Sequence, residues 1–174
     1  MDADDLMHEH RLAGDVEMSQ EFPGASVVSS QVELFPKSQV QEGMAIYLQW
    51  QNQIMAPEQH HKEIWIEQTI CNPAATIRQE ALNAVGGYRE GRFPEDYDLF
   101  VRMHVAGHEF HKRASVGHFW RRHESSFSVV SDDFSHDAFA QVKAWGLMAK
   151  FSLHKKPVCI LGSGRHGGRI AKLL

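Results

Sequence analysis

The chain reads as an α/β protein on three observations. A run rich in β-branched residues from Ala25 to Phe35 stands between two helix-patterned segments. A second strand-type run, Val158 to Leu161, leads straight into a glycine turn. The 174 residues, 43% of them apolar, suffice for one core and not comfortably for two.

Taken in order, Leu6, Met7, Leu12, Val16 and Phe22 recur at roughly helical spacing, so a helix is expected from Asp5 to Phe22, closed by Pro23-Gly24. The strand from Ala25 to Phe35 follows, bounded by Pro36-Lys37. Met44, Tyr47, Leu48 and Met55 share one face of a helix over Gln41 to Met55, which Pro57 ends. Ile64 to Cys71 fits either a strand or a loop. Thr76 and Gln79 have capping-box spacing ahead of Leu82 and Val85, and Gly86-Gly87 supplies a left-handed stop. Pro94-Glu95-Asp96 opens a helix through Leu99, Phe100 and Met103 that Gly107 stops. A short strand is expected over His118 to His123. A long amphipathic helix is expected over Asp132 to Phe151, with Phe134, Ala138, Val142, Trp145 and Met148 inward.

The composition excludes some classes. With 18 basic against 22 acidic side chains and a net charge of -4, the chain does not find its partner through bulk positive charge, so no nucleic-acid partner is expected. No apolar run approaches the ~20 residues of a membrane span, and no signal-peptide pattern opens the chain. A cytoplasmic protein is the reading, with the inner face of the membrane as the place where such a protein could work. Cys71 and Cys159 are read as two reduced, buried thiols.

Two acidic clusters could carry chemistry. Asp2, Asp4 and Asp5 fall within four positions, and in an extended segment Asp2 and Asp4 point the same way, toward one hard cation that also takes phosphate oxygens. Plain helix capping is the competing reading. An EF-hand fails, because Met7 and Ala13 stand where Gly and Glu are needed; an aspartyl-phosphate phosphatase, which would normally have Thr or Val where Leu6 stands, stays as a rival. Glu95, Asp96 and Asp98 stand at a helix N-terminus, where the macrodipole favours anions; capping, with Asp98 and Arg102 as a surface pair, is the alternative. His8, His108 and His123 each begin an HExxH zinc pattern whose second histidine is replaced by Leu12, Lys112 and Phe127. The 12 histidines are therefore read mostly as surface residues or as residues behind a site.

The order Asp2-Ala3-Asp4-Asp5, Asn72-Pro73, Val85-Gly86-Gly87-Tyr88 and Pro94-Glu95-Asp96-Tyr97-Asp98 resembles family 2 glycosyltransferases of the GT-A fold, and Asn72 to Arg102 is similar to the galactosyltransferase C-terminal region. The resemblance implies that Asp2 and Asp4 hold Mn²⁺ or Mg²⁺ against the diphosphate of a nucleotide-sugar donor, UDP being the expected nucleotide. It implies Asp96 as the base that deprotonates a hydroxyl acceptor, a glycan or other alcohol, in an inverting displacement serving polysaccharide or glycan synthesis. Glu95 and Asp98 would support the base or bind the acceptor. Gly86, Gly87 and Tyr88 would shape the acceptor wall. Arg121, Arg122 and His123 would lie near the diphosphate, with His123 also within the cation's reach.

The same resemblance makes residues 1-150 the later part of a GT-A domain, 151-157 a linker, and 158-174 the start of a Rossmann-like unit, so both ends read as cut. In that unit Gly162, Gly164 and Gly167 have the spacing of a dinucleotide pyrophosphate turn. Two other functions stay open: an inactive transferase fragment serving as a binding or assembly module, and a dinucleotide-binding protein working through the glycine turn.

Overall fold

The computed structural model describes residues 1–124, 126, 131–152, 158–162 and 164–174. Its order is β1 (Leu6–Met7), α1 (Arg11–Glu21), β2 (Ala25–Phe35), α2 (Glu42–Gln53), α3 (Pro57–Glu63), β3 (Thr76–Ile77), α4 (Gln79–Ala84), α5 (Glu95–Val105), β4 (Glu109–Arg121), α6 (His136–Phe151) and α7 (Arg165–Leu173). The four strands form one mixed sheet in the order β1-β4-β2-β3. The fold is therefore mixed α/β, as the alternation of strand-type and helix-type runs predicts.

The two long strands, β2 and β4, run parallel and carry the sheet; β1 and β3 are two-residue edges paired antiparallel. From Ala25 to Ser30 every residue of β2 is buried, which suits a central strand covered on both faces. Gly117 lets β2 and β4 close up, since a Cβ there would lie 2.5 Å from Ser30 Oγ. The main core gathers Val27, Ile64, Ile70, Tyr97, Phe100 and Phe110 with other buried residues around α5.

Several expectations change. The first helix starts at Arg11, because Leu6 and Met7 leave it to pair with Phe119 and His118 of β4. Its faces are also reversed. Leu12 and Val16 are exposed, whereas Arg11 and Asp15 are buried against polar groups of the sheet. Asp15 accepts from Thr76 Oγ1 at 2.8 Å and sits 3.5 Å from Arg11 Nε, so the inward charges are paired. Periodicity finds the helix but not which stripe faces a polar neighbour. The Thr76-Gln79 capping box does not form: Thr76 belongs to β3, its hydroxyl goes to Asp15, and Arg78 precedes α4.

The strand expected at His118 to His123 is the end of the longer β4, and Ile64 to Cys71 is irregular. The long helix begins at His136 on a Ser135 N-cap, with Ala138 and Val142 buried as expected and Trp145 38% exposed, its ring edge-on to Phe93. Val158 to Leu161 is not a strand; Val158, Cys159 and Leu161 are exposed, so only Cys71 is a buried thiol. An apolar run forms a strand only where a sheet receives it, and none does here. Residues 153–157 of the expected linker lie outside the described residues. Among those described, no helix is long and apolar enough to cross a membrane.

Candidate functional site

A cavity of about 500 Å³ opens beside the C-terminal ends of β2 and β4 and the N-terminus of α5. Asp2, Asp96 and Arg122, far apart in sequence, all line it. So do Glu95, Glu67 and the ring of Trp120.

The acidic start of the chain is held by its third carboxylate. Asp5 is buried; its Oδ1 accepts from the Arg121 backbone N–H at 2.8 Å, and its Oδ2 lies 2.8 Å from His118 Nε2. Arg11 donates to Pro73 O at 2.9 Å and stands 3.3 Å from His118 Nδ1. A guanidinium can only donate, so Nδ1 accepts and Nε2 carries the proton toward Asp5. Burial holds the imidazole below its usual range, as that neutral tautomer requires. Anchored this way, Asp5 leaves Asp2 and Asp4 exposed, and of the two it is Asp2 that lines the cavity.

Burial first, then neighbouring Asp5, raises the Asp2 carboxyl above its ordinary value. Asp4 Oδ2 lies 3.2 Å from His123 Nε2, and Arg121 donates to the Asp4 backbone O at 2.7 Å. Among the described residues no three His, Cys, Asp or Glu side chains form a metal-holding group. A Mg²⁺-type cation that keeps waters and phosphate oxygens needs only one or two carboxylates, and Asp2 and Asp4 are the exposed ones that would supply them.

Asp96 enters the cavity from the first turn of α5. Its Oδ2 accepts from Gln68 Nε2 at 2.9 Å and its Oδ1 from the Tyr97 N–H at 2.7 Å. Burial raises its carboxyl to about 6, against the lowering effect of the Gln68 hydrogen bond, with Glu95 adding to the rise. That places the group near neutrality, where a general base is most effective.

Asp98 is elsewhere. It is buried, accepts from Arg102 Nε at 2.8 Å and pairs with Arg89, and does not line the cavity. Arg102 also donates to Val85 O at 2.5 Å and to Gly87 O at 2.7 Å. The expected surface pair of Asp98 and Arg102 is thus a buried clamp joining α5 to the glycine turn. Gly86 and Gly87 take φ of 78° and 68°, the left-handed stop predicted. Tyr88 stands behind the wall, its hydroxyl donating to Asn72 Oδ1 at 2.6 Å.

Of the basic trio, Arg122 lines the cavity, Arg121 stacks on Phe35 at 4.4 Å, and His123 stays with Asp4. The second glycine cluster does not line the cavity. Gly162 has φ 118°, Gly164 precedes α7, and a Cβ on Gly167 would meet Gly162 O at 2.7 Å, so a tight turn exists. Among the described residues no strand precedes it, and Ser163 lies outside them.

Sequence reasoning missed Glu67, Gln68 and Gln51 of the cavity, along with the Asp5-His118 anchor. Glu67 and Gln68 carry no signal because Ile64 to Cys71 has no periodicity, while Gln51 sits in a helix and Asp5 meets His118 only across the fold. The surface reading of histidines also fails for His60, His104, His111 and His118, which are buried. His104 and His108 diverge as the Gly107 stop implies: the former packs on His61 and Trp65, the latter lies 2.9 Å from Ser26 Oγ. No family model matches the chain, and no curated protein matches it.

Proposed function

We propose that the chain belongs to the GT-A type and performs metal-dependent, inverting transfer of a sugar from a nucleotide-sugar, UDP-linked by expectation, to a hydroxyl acceptor. The observation that carries this reading is one cavity lined by Asp2, Asp96 and Arg122, residues from three separate stretches of the chain that the family resemblance assigns to cation, base and diphosphate.

In this reading Asp96, held by Gln68 and the Tyr97 N–H, takes the proton from the acceptor hydroxyl as its oxygen bonds to the anomeric carbon. The bond from that carbon to the diphosphate oxygen breaks, its electron pair leaving with the nucleotide. Arg122 offsets charge on the departing diphosphate. Asp2 and Asp4 would hold Mn²⁺ or Mg²⁺, which supplies Lewis-acid stabilisation of the leaving group. Glu95 adds negative charge beside the base and helps keep its carboxyl near neutrality.

Calorimetric titration of UDP with Mn²⁺ tests the reading. Wild type is expected to give binding heat and Asp4→Ala to lose it; the same heat from both proteins refutes the cation site.

A further inference from the structure

The net charge of -4 conceals a division along the chain. From Ala138 to Leu174 there are seven Lys or Arg side chains and no Asp or Glu, whereas residues 1–137 hold 11 basic and all 22 acidic ones, so +7 stands against -11. A basic run without a single acid, ending on a short amphipathic helix, is the pattern of a surface that meets anions.

α7 sorts this charge by side. Arg165, Arg169 and Lys172 recur at i, i+4 and i+7 along one face, while Ile170, Leu173 and Leu174 recur at i, i+3 and i+4 along another. Arg165, Lys172, Leu173 and Leu174 are exposed, and Ile170 is half-buried. Arg169 meets Asp137 of α6 at 2.5 Å, but among the described residues Arg165, Lys172 and Lys150 make no ion pair. The approach to the helix is apolar and open to water as well: Leu161 is 94% exposed, and Val158 stands exposed before it. One exposed leucine is ordinary, but several beside unpaired cations mark a surface that something covers. A cavity of about 480 Å³ adjoins this surface, lined by residues of α6 and α7 together with Arg92 and Asp132. With Arg169 paired, Lys172 and Arg92, the latter 4.0 Å from Asp133, are the basic groups left in its wall to receive a phosphate.

We propose that α7 and the turn before it dock on an anionic lipid surface, with phosphate headgroups meeting Arg165, Lys172 and the cavity while Leu161, Leu173 and Leu174 enter the boundary of the acyl chains. α7 has nine residues, too few to cross a bilayer, so the contact lies along the surface. Nucleic acid, or the acidic part of a second copy, would answer the charge and leave the leucines in water. A bilayer answers both. None of these residues lines the cavity of Asp2 and Asp96, so lipid binding and UDP–Mn²⁺ binding succeed or fail independently.

Co-sedimentation of the full chain with vesicles of phosphatidylcholine alone, and of phosphatidylcholine mixed with phosphatidylglycerol, tests this. The mixed vesicles are expected to bind at least about 10-fold more tightly, and less so as salt rises. Arg165→Gln together with Lys172→Gln should weaken that binding about 5-fold for each charge removed, the factor equivalent to ~1 kcal/mol. Leu161→Ser together with Leu173→Ser should weaken it about 10-fold while leaving the salt dependence as in wild type, a change that a purely electrostatic contact would not show. These side chains are exposed, and circular dichroism checks the fold of each variant. Equal binding to the two vesicles, binding to neither, or a leucine variant that binds like wild type overturns the proposal. Tighter binding to a short DNA duplex than to the mixed vesicles overturns it in favour of nucleic acid. Self-association at low salt without vesicle binding overturns it in favour of a second copy.

Discussion

Asp96 joins a hydrogen-bonded position to a carboxyl raised to about 6, and two consequences follow. Because the folded chain holds this proton more tightly than the unfolded one, its contribution to stability falls as pH rises from about 4 to about 6. Asp96→Asn is expected to remove that fall, as urea melts across this range would read. On the proposed transferase reading, the same variant should lose ~10²–10⁴-fold in transfer while keeping UDP–Mn²⁺ binding. On that reading kcat/KM of the wild type should climb as pH passes about 6, since a proposed base has to be ionised to act. Asp5 offers a stability test. Its carboxylate is buried between His118 and the Arg121 N–H, so Asp5→Ala is expected to cost ~3 kcal/mol by orphaning both donors. Asp4, exposed a single residue away, should cost little. The sequence marks all three acids alike; only the partners separate an anchor from a candidate ligand.

Helix packing decides the sign of otherwise equal substitutions. Gly146 of α6 faces α5 and the Trp65 ring, and a Cβ there would run into Val101 Cγ1. Gly43, early in α2, has open space around it. Gly→Ala raises helix propensity by ~1 kcal/mol at either site, while overpacking at Gly146 costs ~1–3 kcal/mol. Gly43→Ala is therefore expected to stabilise and Gly146→Ala to destabilise, compared by urea midpoints. Several elements were legible because their signal is local: β2 from β-branched density, α5 from its proline and acidic start, the 86–87 turn from two glycines. The reversed face of α1 was not. Its apolar residues have helical spacing, yet Arg11 and Asp15 lie inward because β4 and β3 present Arg113 and Thr76 there.

For the whole molecule, the cavity exists because β1 pins the chain start onto β4 while α5 brings Asp96 to the same side. A ligand that spans these parts should couple them. UDP with Mn²⁺ at about 100 times its Kd would add ~2.7 kcal/mol, roughly 5–10 °C in melting temperature for a chain of this size. That rise is expected in wild type, and its absence in Asp2→Asn is the check that it comes through that carboxylate. The Gly162 turn should not take part, since it precedes α7, which packs on α6, and lines no part of this cavity.

What the sequence by itself determined is the α/β class, most helix positions, the two acidic clusters and the glycine stops, because each follows from neighbours within a few residues. What only the tertiary structure decided is which acids share a space. Asp98 carries the same charge as Asp96 two residues earlier, yet it turns into a buried clamp with Arg89 and Arg102. Glu67 and Gln51, silent in the sequence, complete the cavity. Side-chain direction, burial and the partner across the fold are non-local quantities, and they set whether a carboxylate is a strut, a base or a ligand.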